Sequence, residues 1–218
     1  MSALSAVDVA RSWDKAAQKP DFAAAIHPSG VEPGAYNESG RFHADQIREC
    51  VDVHGVGIGS LLDFGCGNGR VARHLTGDFE VCGADASPSM LAKLAADAPG
   101  VTPVLWDGLA ETELPGVFDC CYSWAVFIHL TPRDGAQVLE NLAASIRPGG
   151  LVLIDVPLYD AARTRSAWSD VTVWTPAMFY RAADVASLVV LEMASDPGVF
   201  SFDNVGVNHS RLKVMQKS

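Results

Sequence analysis

Apolar residues along this chain recur at two periods that take turns. Runs such as Leu61-Leu62-Asp63-Phe64, Val81-Cys82-Gly83-Ala84 and Leu151-Val152-Leu153-Ile154-Asp155-Val156 are nearly continuous, which reads as strands buried on both faces. Strands are expected at about 60–64, 79–84, 102–106, 118–122, 151–156, 187–193 and 211–216. Between them the spacing changes to that of one helix face. Met90, Leu91, Leu94 and Ala95 follow Ser87-Pro88, and Val138, Leu139, Leu142 and Ile146 follow Thr131-Pro132. A third helix opens at Thr175-Pro176. In each case a capping hydroxyl precedes a proline at the first helical position. Another helical pattern begins at Val71, Ala72 and Leu75. Strands alternating with helices imply an α/β fold, its sheet mostly parallel and covered on both faces.

Ahead of the first strand, residues 5–18 read as a helix with Val9, Trp13 and Ala17 on one face. Residues 20–40, rich in proline and glycine, read as irregular, and a second helix runs from about Arg41 to His54. We expect a single domain over 1–218, with 1–58 as a helical cap and 59–218 as the core. Within the core, 157–175 fits neither period and follows the fifth strand, on the edge where α/β sheets bind ligands. Tyr159, Trp168 and Trp174 are its candidate substrate-binding residues, and the loop from Asp196 to His209 is a second candidate wall.

The first strand ends in Asp63-Phe64-Gly65-Cys66-Gly67-Asn68-Gly69-Arg70. Glycines at alternate positions permit a sharp bend and let a ligand touch the backbone. A strand, such a bend and a helix together make a nucleotide or nucleoside site. The nicotinamide fingerprint G-x-G-x-x-G fails, because its sixth position is Arg70. Asp63 beside the bend would repel a pyrophosphate but suits a cation. Asp85, at the end of the second strand, is placed to accept hydrogen bonds from ribose hydroxyls.

Net charge is −10, which disfavours an extended nucleic acid as substrate and favours a small molecule. Five cysteines, at 50, 66, 82, 120 and 121, show no C-x-x-C spacing and read as reduced core residues of a cytoplasmic protein. No apolar run approaches the ~20 residues of a membrane span, and no export signal is expected. The histidines show no metal-ligand spacing, so no metal is expected.

LLDFGCGNGRVARHL, GADASPSML, LWDG, FDCCYSWAVFIHL and RPGGLVLIDV, in that order over about 59–156, resemble the motif series of class I S-adenosylmethionine-dependent methyltransferases. The resemblance implies a Rossmann-like, doubly wound seven-stranded sheet whose last strand is antiparallel. It implies S-adenosylmethionine as cofactor, S-adenosylhomocysteine as product, and a monomer or homodimer acting on an oxygen or nitrogen of a small molecule. Residue by residue, it puts Asp63, Gly65, Cys66 and Gly67 at the bend and Asp85 and Ala86 at the ribose and adenine. Met90, Trp106, Asp107 and Gly108 fall to the ring, and Ser123 and Trp124 to the methionine and the methyl. Tyr36 and Arg41, from AYNESGR, are the expected contacts of the cap, Arg41 with the methionine carboxylate. His129 is either a general base toward an acceptor hydroxyl or a structural histidine. Tyr122-Ser123-Trp124 stands where nucleobase amino methylases carry N/D-P-P-Y/F. An RNA or protein methylase, a non-catalytic cofactor-binding module and a nicotinamide oxidoreductase are the alternatives.

Overall fold

The computed structural model describes residues 5–23, 32–54, 57–110, 114–156, 158, 163–165, 171–195 and 211–218. Helices α1 (Ala6–Ala17) and α2 (Pro33–Val53) come first, then β1 (Ser60–Phe64), β2 (Glu80–Asp85), α3 (Pro88–Asp97), β3 (Val101–Leu105) and β4 (Phe118–Ser123). They are followed by α4 (Pro132–Ala144), β5 (Ile146–Val156), β6 (Arg163–Arg165), β7 (Val171–Val173), α5 (Pro176–Val185), β8 (Leu188–Ser195) and β9 (Arg211–Lys217). Seven strands form one sheet in the order β3-β2-β1-β4-β5-β9-β8. β1 pairs in parallel with both β2 and β4, while β9 runs antiparallel to β5 and β8. The strand order reverses between β1 and β4, so the bend after β1 opens at the point where such sheets bind ligands.

Both faces of the sheet are covered because alternate residues of each strand are apolar. Leu62, Phe64, Cys121 and Ile154 face α4 and α5, where they pack with Phe127, Val138, Leu139 and Phe179. Leu61, Cys120, Tyr122 and Leu153 face the other way, toward Ala44, Ile47 and Val51 of α2. The three hydroxyl caps form as expected: Ser87, Thr131 and Thr175 accept from the backbone N–H of Met90, Asp134 and Met178 at 3.1, 3.1 and 3.2 Å.

Four elements differ from the sequence reading. α2 begins at Pro33, not at Arg41. The proline takes its first turn, and Gly40 is a packing contact: a Cβ there would lie 2.1 Å from the Arg70 carbonyl oxygen. After the glycine bend there is only a 3₁₀ turn, Ala72–His74, closed by i→i+3 bonds. Thr76-Gly77 stops the pattern after little more than one turn. The helix expected from Val71 is therefore a single short turn. β5 begins at Ile146, read from sequence as an apolar position of the preceding helix, and takes in Arg147-Pro148-Gly149-Gly150. Within 157–175, residues 163–165 and 171–173 pair as an antiparallel ribbon. Among the described residues no helix is long and apolar enough to cross a membrane.

Candidate functional site

The bend is held by β2. The N–H groups of Gly65 and Cys66 both donate to the Ala84 carbonyl, at 2.7 and 3.1 Å. Gly65, Gly67 and Gly69 all have positive φ, a conformation costly to other residues. Gly65 is also a contact, since a Cβ would lie 2.1 Å from Val126 of the segment after β4. Ala125, beside Val126, has φ 59° without being glycine, so the chain leaves β4 under strain at the same spot.

Asp85 ties the bend to the next helix. Its Oδ2 accepts from Gly67 N–H at 2.9 Å and its Oδ1 from Ser87 N–H at 2.8 Å. Burial raises its pKa, against the pull of those backbone donors. Asp14 of α1 reaches the same place: its Oδ1 accepts from Ser87 Oγ at 2.8 Å and Ser89 N–H at 3.0 Å. Trp13, the residue before it, meets the His129 ring edge-on at 5.4 Å. α1 therefore spans from the start of α3 to the turn after β4. Ala86 is half-buried beside Asp85.

Asp63 is buried under α2, paired in register with Tyr122 of β4. Burial pushes its pKa up to about 7; Tyr122 and Arg70 oppose the rise and Asp85 adds to it. Arg70, only 5% exposed, sends Nη1 to Ser39 Oγ at 3.2 Å and to His43 Nδ1 at 2.9 Å. A guanidinium only donates, so His43 accepts on Nδ1, is neutral, and carries its proton on Nε2. The His43 ring lies over Trp124 at 3.9 Å. Tyr36 is buried, its hydroxyl 2.8 Å from Asn68 Oδ1, and burial lifts its pKa to about 12. These residues converge on one corner, beneath α2 and beside the bend.

Other expected contacts are turned elsewhere. Cys66 is buried against Gly83, where a Cβ would lie 3.0 Å from its Sγ, and burial raises its thiol pKa. Met90 is buried in α3. Trp106 packs edge-on against Phe64 at 5.5 Å and donates to the Ala110 carbonyl at 2.8 Å, so its indole belongs to the core rather than to an open stacking face. Asp107 Oδ1 accepts from its own loop, at Leu109 and Ala110 N–H. Gly108, with φ +78°, is packed on Phe64. Ser123 is fully buried and donates to the Phe64 carbonyl at 3.0 Å, a tie between β4 and β1. Trp174 is 1% exposed and lies flat on Gly135, where a Cβ would be 2.2 Å from its Cζ2. It is therefore core rather than pocket wall. Tyr159, Trp168 and the loop 196–209 lie outside the described residues. Arg41 is exposed on α2, on the flank that carries Arg48 toward His74 and Asp78.

Sequence reasoning missed Arg70, His43, Asn68, Asp14 and Ala125. Arg70 had a signal, its place directly after the third glycine, but it was used only to reject the nicotinamide fingerprint.

Residues 61–150 match the family model of the methyltransferase domain. No curated protein matches the chain. Among solved structures, an S-adenosylmethionine-dependent methyltransferase from Leishmania major is similar at TM-score 0.74 and 16% identity, over 97% of this chain and 82% of that one. An S-adenosylmethionine-bound amino pentose methyltransferase of calicheamicin biosynthesis from Micromonospora echinaspora is similar at TM-score 0.64 and 17% identity, over 84% and 92%. A sugar N-methyltransferase from Streptoalloteichus is similar at TM-score 0.63 and 17% identity, over 80% and 86%.

Proposed function

We propose that the chain is a class I S-adenosylmethionine-dependent methyltransferase that methylates an oxygen or nitrogen of a small-molecule acceptor by in-line displacement. The observation that carries the cofactor is the pair of carboxyl groups, Asp63 and Asp85, that flank the bend: burial raises the pKa of both, and a cationic ligand restores the charge that burial disfavours. Such a cradle suits a ligand with positive charge, which favours the ionised carboxylates. When bound, the cofactor supplies a methyl already activated on a sulfonium. The protein's task is then alignment, which is worth roughly 7–11 kcal/mol of barrier.

In this reading Gly65 and Gly67 let the backbone approach the cofactor. Asp85 grips the ribose with the lone pairs its two backbone donors leave free, and Ala86 flanks the adenine. Asp63 faces the cationic end of methionine. Tyr36 and Trp124 close the methionine side. His129, beside Trp13 at the rim, takes the proton that the acceptor loses on methylation. The similar folds of the amino pentose and sugar N-methyltransferases, with the net charge of −10, support a small and uncharged or cationic acceptor.

The experiment is a methyl-transfer assay over amino sugars, other amines and hydroxyl compounds, with RNA as a control at two salt concentrations. A small-molecule product is expected. Cofactor binding with no product on any small acceptor, and salt-sensitive methylation of RNA, would overturn the acceptor class. His129→Ala should slow turnover by about 100-fold or more while leaving cofactor affinity within twofold.

A further inference from the structure

α1 crosses the carboxyl end of β1. It reaches the start of α3, which follows β2, and the turn Phe127–His129, which follows β4, and β1 lies between those two strands. The buried residues of α1, Val9, Ala16 and Ala17, are small, so apolar packing alone holds it weakly. Polar ties fix it to α3. Asp14 Oδ1 accepts from Ser87 Oγ at 2.8 Å and from Ser89 N–H at 3.0 Å, and Gln18 Nε2 donates to Ser89 Oγ at 3.5 Å. The Ser89 N–H, with the Ser87 hydroxyl, holds the Asp14 carboxyl below the usual carboxylate range. Ser87 is also the residue whose N–H holds Asp85, at 2.8 Å, and Asp14 is close enough for its charge to add to the rise in the Asp85 pKa. One residue earlier, about 100° around the helix axis, Trp13 meets the His129 ring edge-on at 5.4 Å. Consecutive residues of one helix thus stand on the carboxylate of the cofactor side and on the histidine of the acceptor side.

We propose that Trp13 is a positioning residue for His129 and that Asp14, anchored beside Asp85, sets where Trp13 stands, so that a ligand on Asp85 reorients the His129 ring. This rests on the S-adenosylmethionine reading above. A ribose that takes lone pairs of Asp85 disturbs the carboxylate shared with Ser87 N–H. The Ser87 hydroxyl passes the change to Asp14, and α1, its backbone closed by its own hydrogen bonds, carries Trp13 with it. The histidine is thereby aligned only once the cofactor is seated. A second route runs through the loop: His129 N–H donates to the Val126 carbonyl at 2.9 Å, and Val126 packs against Gly65 of the bend. That route ends on the His129 backbone, whereas Trp13 touches the ring that takes the proton. The two routes differ at Asp14, which the loop does not use.

Nuclear magnetic resonance of protein carrying ¹⁵N-labelled histidine tests this, with His129 assigned by its absence from His129→Ala. The probes are S-adenosylhomocysteine and adenosine, each at saturation. Both should shift the His129 ring signal of wild-type protein, since both carry the ribose. Asp14→Ala should still bind S-adenosylhomocysteine but keep less than half of that shift, as should Trp13→Ala. Trp13→Phe, which retains a ring, should keep more than half. Half or more of the shift surviving in Asp14→Ala would mean that the ligand reaches His129 directly or through the loop from Val126, and would overturn the proposal. So would a wild-type protein that binds S-adenosylhomocysteine with no shift at His129. Should Trp13→Ala fail to fold, Asp14→Ala and Trp13→Phe decide by the same halves. Failure of the wild-type protein to bind either probe would instead sink the cofactor reading on which this rests.

Discussion

On β1 and β4 the two faces of the sheet are made from alternate residues of the same strands, yet they differ in kind. Toward α4 and α5 stand Leu62, Phe64 and Cys121, and the polar atom among them, Ser123 Oγ, is spent on a strand-to-strand hydrogen bond. Toward α2 stand Asp63 and Tyr122 of the same strands and Trp124 just after β4, covered by Arg70 and His43. On that second face burial pushes Asp63 up, Arg70 down and Tyr122 up, each toward its uncharged form. Folding gains nothing from this. Replacing such groups with packed apolar residues is often neutral or stabilising. One face is therefore the scaffold, and the other gives up some stability to hold groups that a charged ligand needs.

The division can be broken first on the scaffold side. Trp174 is the largest fully buried side chain among the described residues and packs directly on Gly135. Trp174→Ala should lower the unfolding free energy by about 3–5 kcal/mol in urea titration, while the folded fraction binds S-adenosylhomocysteine within twofold of wild type. Weak binding with little lost stability would make Trp174 part of the site and end the contrast. On the other face Asp85→Ala should do the reverse. It removes the carboxylate that holds Gly67 and Ser87 N–H and, in our reading, the ribose. Affinity should fall by about 2–3 kcal/mol, with a smaller loss of stability because a buried carboxylate is removed with it. Unchanged affinity in calorimetry would contradict the ribose assignment.

How much of this was legible depended on which signal was local. The seven strands and the three Ser/Thr-Pro helix starts follow from patterns a few residues long, and they are present, as is the antiparallel last strand that the resemblance implied. The start of α2 was missed because Pro33, Gly34 and Gly40 look like loop residues. Only the approach of the Arg70 carbonyl explains why a glycine sits inside that helix. Setting the start at Arg41 cut the stripe Tyr36, Gly40, His43, Ala44, Ile47 and hid the buried face that meets the bend. The same tertiary cause misplaced the tryptophans: Trp174 and Trp106 carry polar handles that suggest a pocket, but Gly135 and Phe64 draw them into the core. Asp63 and Asp85 were legible as carboxylates at strand ends. Their raised pKa values were not, because burial is a property of the assembled face.

Asp63 gives the smallest expected effect and the sharpest test of what the α2 face is for. Its folded-state pKa, about 7, lies above the usual carboxylate value of ~3.9, chiefly through burial. The ligand-free folded state therefore holds this proton more tightly than the unfolded chain does. The stability it contributes is complete below about pH 4 and is lost as pH rises through 7. A cationic cofactor inverts the preference, because it favours the carboxylate. Binding below pH 7 should release a proton, and affinity should climb roughly fivefold from pH 6 to 7 and then level off. Calorimetry in buffers of different ionisation heat counts that proton. Asp63→Asn should remove most of the slope, but not all, since Asp85 is raised as well. Trp174→Ala, on the scaffold face, should leave the proton count unchanged. Binding at pH 6 with no proton released would mean that Asp63 is already charged in the empty site, and that the α2 face holds no poised carboxylic acid for a cationic ligand to ionise.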